Sequence, residues 1–229
     1  MGAAASTLIA LLSLAPSADP AEPVAFVLCA PGYPGSTSEA QPVMDGFARA
    51  LAEAAGWGRD RVRAEYHDDE ARGVERLGRA DAAFALVPLP FFLKHETRLR
   101  LSAEAHAVPE GGRAEETWSL VAARGKVSGP AALDGWEVLA SAGYAPRFVR
   151  GSALGAWGGA PRARVVATGA VLSGLRRAAA GEKVALLLDG VETAALPTLP
   201  FAEDLVVVTR SLPMPATVVC SVGGRAPGP

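Results

Sequence analysis

The sequence predicts an α/β fold made of two small units, and three observations carry that prediction. Short apolar runs alternate with stretches whose apolar residues recur at helical spacing. The apolar runs are too continuous for a half-exposed sheet and suit strands buried on both faces. The strand, helix, strand, helix, strand order builds a parallel sheet with right-handed crossovers, and a similar α/β order follows the polar stretch Glu110 to Glu116.

In the first unit, Val24 to Ala30 is a buried strand that breaks into the loop P-G-Y-P-G-S-T-S. From Glu39 to Ala55 the residues Val43, Phe47, Ala50, Leu51 and Ala54 keep helical spacing until Gly56 closes the pattern. Val62 to Tyr66 reads as a strand, Glu70 to Arg79 as an amphipathic helix and Ala82 to Leu89 as a third, buried strand. A short helix starts over Pro88 to His95, and Leu99 to Val108 reads as a strand.

In the second unit, Trp118 to Ala123 and Trp136 to Ala142 are strands, with a turn over Gly129 to Asp134 between them. Arg164 to Ala167 is a strand, and Ala170 to Ala180 a helix with Val171, Leu172, Leu175 and Ala179 on one face. Val184 to Leu188 is a buried strand ending in Asp189-Gly190, and a helix follows from Val191 to about Leu196. Leu205 to Thr209 and Thr217 to Val222 close the list of strands.

The chain has 229 residues and half of them are hydrophobic, enough to bury a core. Lys+Arg number 22 against Asp+Glu 24, a formal charge of -2. That balance gives neither a basic stripe for nucleic acid nor a polybasic segment for anionic lipid. Residues 1–23 stand apart. Thr7 to Leu14 is apolar but too short to span a bilayer, which takes ~20 residues, and the acidic, Pro-rich P-S-A-D-P-A-E-P follows. The segment reads as a signal peptide and linker with small residues Ser13, Ala15 or Ala18 near the cut, so no membrane insertion is expected once it is removed. It lacks the Lys or Arg of an ordinary signal, and a disordered N-terminus or a misplaced start codon is the alternative. The two cysteines, Cys29 and Cys220, sit in apolar strands and fit buried core thiols rather than a disulfide framework or a zinc motif.

The loop after the first strand offers backbone N–H groups and hydroxyls at a helix start, which suits an anion. It is not a Walker loop, because no Lys follows the second glycine, and it lacks the third glycine of a dinucleotide fingerprint. Two readings remain. Tyr33, Ser36 and Thr37 donate hydrogen bonds to an oxyanion or polar solute, or Ser36 or Ser38 simply caps the helix. Asp189 ends a buried strand at the edge where ligands gather in α/β sheets, where it would accept a hydrogen bond from a protonated ligand or cap the next helix. His67-Asp68-Asp69-Glu70 reads as a strand end and an acid-capped helix rather than a metal site. His95 and His106 are read as structural or solvated. In Gly151-Ser152-Ala153-Leu154-Gly155 the serine follows the first glycine directly, so it is no nucleophile elbow. Neither a catalytic acid/base or nucleophile set nor a cofactor is expected.

Four stretches carry a resemblance to a known family: residues 61–89 with R-L-G-R-A-D-A-A-F-A-L, 116–140 with A-A-L-D-G-W-E-V-L-A, 171–190 with A-A-A-G-E-K-V-A-L-L-L-D-G, and L-V-V-V-T-R-S-L-P-M-P at 205–215. In order and spacing they resemble the phosphonate/phosphate-type substrate-binding proteins of ABC transporters, of the type 2 periplasmic-binding fold. The resemblance implies two parallel or mixed-sheet lobes joined by two crossover strands, Trp118 to Ala123 and Leu205 to Thr209. Lobe 1 would begin with 24–118, lobe 2 take 119–204, and 205–229 supply the return crossover and the end of lobe 1. The second-lobe turn S-A-G-Y, with Ser141 and Tyr144, would then face the first loop across a cleft. Asp189 matches the family's pocket-facing aspartate.

The departures are as specific. The first-lobe turn G-P-x-x-Y of the family is V-P-L-P-F-F here, putting Pro88 and Phe91 at the cleft without a phenol. The second-lobe turn has only Ser141 as a hydroxyl before Tyr144. Family members usually continue past the return crossover with helices that complete lobe 1, whereas this sequence reaches R-A-P-G-P soon after Val222, so lobe 1 is expected to be less covered. The expected function is capture of a small polar or anionic solute, with the phosphonate or phosphate class implied by the resemblance, for a periplasmic or otherwise secreted protein serving an ABC permease. The alternatives are a degenerate binding-fold protein that has lost ligand binding and acts as sensor or interaction partner, and an α/β enzyme such as a transferase or hydrolase.

Overall fold

The computed structural model describes residues 23–33, 35–108 and 113–225. The expected signal peptide lies outside these residues. The first lobe opens with β1 (Val24–Cys29), α1 (Thr37–Ala54), β2 (Val62–His67), α2 (Glu70–Leu77), β3 (Ala82–Pro88), α3 (Leu89–Leu99) and β4 (Leu101–His106). Then come β5 (Glu115–Glu116), β6 (Ser119–Ala123), β7 (Glu137–Ala140), β8 (Arg164–Ala167), α4 (Val171–Ala179), β9 (Val184–Leu188), α5 (Gly190–Ala195), β10 (Leu205–Arg210), β11 (Met214–Pro215) and β12 (Thr217–Val222).

The two large sheets repeat one plan. Sheet one runs β2-β1-β3-β12-β4 and sheet two β8-β7-β9-β6-β10. In each, three parallel strands are extended by two that run antiparallel to their neighbours. β6 and β9 are buried along their whole length, which is why they read as unbroken apolar runs. Each sheet has an apolar cluster on both faces. α1 covers Phe26, Val62, Ala64 and Tyr66 on one side of sheet one, and α2 and α3 cover Val27, Ala85, Val87 and Cys220 on the other. Phe84, Leu86 and Val219 remain only half-buried on the α1 side.

Trp118 to Ala123 and Leu205 to Thr209 are the expected crossover strands between the lobes. In the structure β6 and β10 pair with each other inside sheet two, Leu205 opposite Ala123, with β6 buried along its whole length and β10 a mostly half-buried edge strand. The two passages between the lobes run through a separate ribbon, where β5 pairs with β11 in the register Glu116 to Met214 and Glu115 to Pro215. A two-residue ribbon is the narrowest connection between the sheets and the natural hinge.

A helical turn of π geometry runs over Phe148–Ala153 and includes Ser152. It forms because Phe148, Val149 and Ala153 bury against Trp118 and Leu154 in the sheet-two core. The buried Arg76 ties α2 to its sheet: its guanidinium meets both Glu65 oxygens at 2.7 and 2.9 Å and both Asp81 oxygens at 2.9 and 2.8 Å. These contacts hold the Glu65 and Asp81 carboxyls below the usual range. Cys29 and Cys220 are both buried and free, and burial pushes each thiol up to about 12.

Candidate functional site

The C-terminal ends of β1 and β3 in one lobe and of β7 and β9 in the other carry the loops that meet between the lobes. The loop after β1 turns at Gly32 with a φ of +85°, a left-handed conformation suited to glycine. A Cβ at Gly32 would stand 2.6 Å from the Ser141 carbonyl oxygen, so the two lobes touch backbone to backbone. Opposite it, S-A-G-Y (Ser141–Tyr144) forms a 3-10 turn at the end of β7. A Cβ at Gly143 would lie 2.4 Å from the backbone of Val166 and Ala167, so only glycine lets this turn settle onto β8. Ser141 is 2% exposed and its Oγ has no hydrogen-bond partner among the described residues.

Tyr144 is the side chain that crosses the gap. Its ring packs against the cores of both lobes. Burial, followed by the neighbouring Cys29 and Glu70, holds its phenol far above the usual range. Lys94 on α3 donates to the Tyr144 carbonyl at 2.7 Å and lies 5.6 Å from the ring centroid. The same ammonium is 2.5 Å from Glu70, which also meets His95 Nε2 at 2.6 Å. His95 is buried beneath Phe91, ring centroids 4.6 Å apart, so it is the structural residue the sequence suggested.

On the hinge side, Tyr33 faces Asp189 of lobe 2. Burial and the nearby carboxylates of Asp189 and Glu116, together with its hydrogen bond to Asp189, keep the Tyr33 phenol protonated well beyond the ordinary range. Asp189 accepts from the Glu192 N–H at 2.7 Å while the Glu192 carboxylate accepts from the Asp189 N–H at 3.0 Å. Glu116 of the hinge ribbon accepts from the Gly190 N–H at 3.0 Å. Burial raises the Glu116 carboxyl, and burial plus the Asp189 charge push Glu192 up to about 7.

The remaining sequence candidates stand apart. Ser36 closes a capping box with Glu39, accepting from its N–H at 3.3 Å while Glu39 accepts from the Ser36 N–H at 3.0 Å. Thr37 donates to Asp68 at 3.4 Å. Pro88 ends β3 and precedes α3, and Phe91 has no exposed surface at all. The structure therefore pairs Tyr33 with Asp189 and brings Ser141 against Gly32 and Tyr144 against Cys29 and Glu70. It leaves Ser36 and Thr37 in a shallow surface hollow with Gln41 and Arg72. Asp69 caps α2 through the Arg72 N–H at 2.9 Å, and among the described residues no group of three or more His, Cys, Asp or Glu could hold a metal.

Sequence reasoning missed Lys94, Glu116 and Glu192, and read Glu70 only as part of an acid-capped helix start. For Glu192 the signal was present: Asp189-x-x-Glu192, like Ser36-x-x-Glu39, is the spacing of a capping box. Both helix starts are thus already met by the chain's own carboxylates, which discourages a second anion there.

No protein-family model matches the sequence, and no curated protein matches it either. Among solved structures, a binding protein component of an ABC phosphonate transporter from Pseudomonas aeruginosa superimposes with a TM-score of 0.58 at 14% identity, covering 89% of this chain and 70% of that one. A Xanthomonas citri protein bound to ATP gives 0.59 at 16%, covering 89% and 78%. The chain has the type 2 periplasmic-binding fold. An ancestral arginine-binding protein bound to arginine shares it at a TM-score of 0.51 and 12% identity, over 87% and 84% of the two chains. The type 2 periplasmic-binding fold thus serves a phosphonate-transporter binding component, an ATP-bound protein and an arginine-binding protein in these neighbours, so fold alone selects no ligand. None of the described helices is long and apolar enough to cross a membrane.

Proposed function

We propose that this protein is an extracytoplasmic solute-binding protein that captures a small polar or anionic solute between its lobes and delivers it to an ABC-type permease. The observation that carries the reading is the pair of lobes whose two connecting passages pair as the β5–β11 ribbon, with Gly32 and Ser141 meeting across the gap. Bending at the ribbon would separate those loops and admit a solute, and closing would bury it. The work is binding, and no chemical step is required of it. The phosphonate or phosphate class remains the ligand class within this reading, held by cations rather than by helix starts, since the α1 and α5 N–H groups already face Glu39, Asp189 and Glu116.

One observation favours a second reading. Tyr144 and the Gly32–Ser141 contact fill the middle of the cleft with the protein's own atoms, as a sensor or interaction partner that has given up solute binding would do. A thermal-shift screen against phosphate, phosphite, phosphonates, sulfonates and amino acids separates the two. Binding to the folded state raises the melting temperature by mass action, so one class should stabilise the protein in a concentration-dependent way. Indifference to every class would overturn solute capture and leave the second reading.

A further inference from the structure

A cavity of about 430 Å³ opens between the lobes on the side away from the hinge, lined by Pro90, Leu93, Lys94, Pro146, Arg147 and Phe148 among others. α3 supplies one wall and the segment after S-A-G-Y the other, so the cavity exists only while the lobes are together. Its chemistry differs from that of the hinge side, where the groove mixes both signs, Glu115 and Glu116 beside Arg113 and His106. Here the charged lining residues are Lys94 and Arg147, both cations, and none is a carboxylate.

The two cations are not equally committed. An ammonium has three donors, and Lys94 gives one to Glu70 and one to the Tyr144 carbonyl, leaving one. The Arg147 guanidinium is exposed and makes no hydrogen bond or ion pair with the described residues. Its guanidinium is a planar fork suited to a carboxylate or phosphonate head. Between the cations lie the apolar surfaces of Pro90, Leu93 and Phe148, with Leu93 41% exposed. A volume of this size is in the range of pockets for small organic ligands.

We propose that this cavity binds an amphipathic organic anion, its anionic head on Arg147 and the free Lys94 proton and its apolar body against Pro90, Leu93 and Phe148. This rests on the solute-capture reading and sharpens it: the ligand is held at the rim by two cations and an apolar wall, not as a bare oxyanion in the centre. Because both walls are needed, occupancy favours the closed arrangement of the lobes.

The test is calorimetric titration of the full chain with 4-phenylbutyrate, acetate and 4-phenylbutylamine. The first should bind, acetate at least about tenfold more weakly because it lacks the apolar body, and the amine not at all. Arg147→Gln should weaken 4-phenylbutyrate by about tenfold and Arg147→Glu abolish it, as expected for a lost charge-assisted contact. Because Arg147 is exposed and unpaired, the melting temperature of both variants should match the parent, and Lys94→Met gives a second, independent loss. Equal binding to parent and Arg147→Gln, or no binding, overturns the proposal. If phosphate stabilises parent and Arg147→Gln alike while 4-phenylbutyrate does nothing, this assignment fails and solute capture stands; if no solute of any kind binds, both fail.

Discussion

The backbone of Gly32 rests on the carbonyl of Ser141, with only 2.6 Å left for a Cβ. Two lobes that share the four residues of the β5–β11 ribbon therefore also meet in the cleft at a contact that tolerates no side chain. Gly32→Ala adds both a methyl against that carbonyl and an L-residue at a φ of +85°, which costs on the order of 1 kcal/mol before any clash. The lobes are expected to part while each stays folded. Small-angle scattering should show a larger radius of gyration with an unchanged far-ultraviolet circular dichroism spectrum. An unchanged radius would mean that the loop yields and that this contact does not govern closure.

Tyr144 joins the two cores from the lobe-2 side. Tyr144→Ala removes a half-buried ring from both, with an expected loss of about 2 kcal/mol, below the range for a fully buried aromatic. For a chain of this length that is a fall in melting temperature of about 4–8 °C. Tyr144→Phe retains the ring and should stay within about 0.5 kcal/mol of the parent. Urea denaturation of the three proteins measures both.

Arg76 bears two carboxylates at once. Replacing it with Met leaves Glu65 and Asp81 facing the end of α2 without their cation, and the expected loss is about 2 kcal/mol, below the ~3–5 kcal/mol of breaking a fully buried ion pair because both carboxylates reach solvent. The same contacts set an acid limit. Glu65 and Asp81 are depressed in the folded state, so they add stability that is complete above their unfolded values and is lost as pH falls through the folded ones. The acid limb of the stability curve should be shallower in Arg76→Met.

Glu192 works in the opposite direction. Its carboxyl is raised from 4.5 to about 7, so between those values the folded state holds more protons than the unfolded one and stability falls as pH rises. Glu192→Gln keeps the acceptor for the Asp189 N–H and removes the titration. Urea midpoints between pH 5 and 8 should decline in the parent and decline less steeply in the variant, where the raised Glu116 carboxyl remains; parallel slopes would place the titrating group elsewhere.

The strands were legible because β6 and β9 are buried on both faces and so appear as unbroken apolar runs, and the α/β order followed from them. The hinge was not, since Glu115–Glu116 and Met214–Pro215 are too short to carry a period. Of the site, Tyr33, Ser141, Tyr144 and Asp189 could be named because they follow strand ends, where loops gather. The uses of Ser36 and Asp189 lay in their spacing to Glu39 and Glu192. Lys94 was invisible because what it holds is a carbonyl fifty residues away, and Phe91 misled because an apolar turn looks the same whether it lines a cleft or seals a core.

The central claim is that the lobes open to admit a solute and close on it. The distance between spin labels at exposed Glu53 of lobe 1 and exposed Lys183 of lobe 2 measures this directly. Solute capture predicts a broad distribution for the free protein that collapses onto its shortest component when a stabilising solute is added. A single short distance, identical with and without every solute that the thermal screen offers, would contradict it.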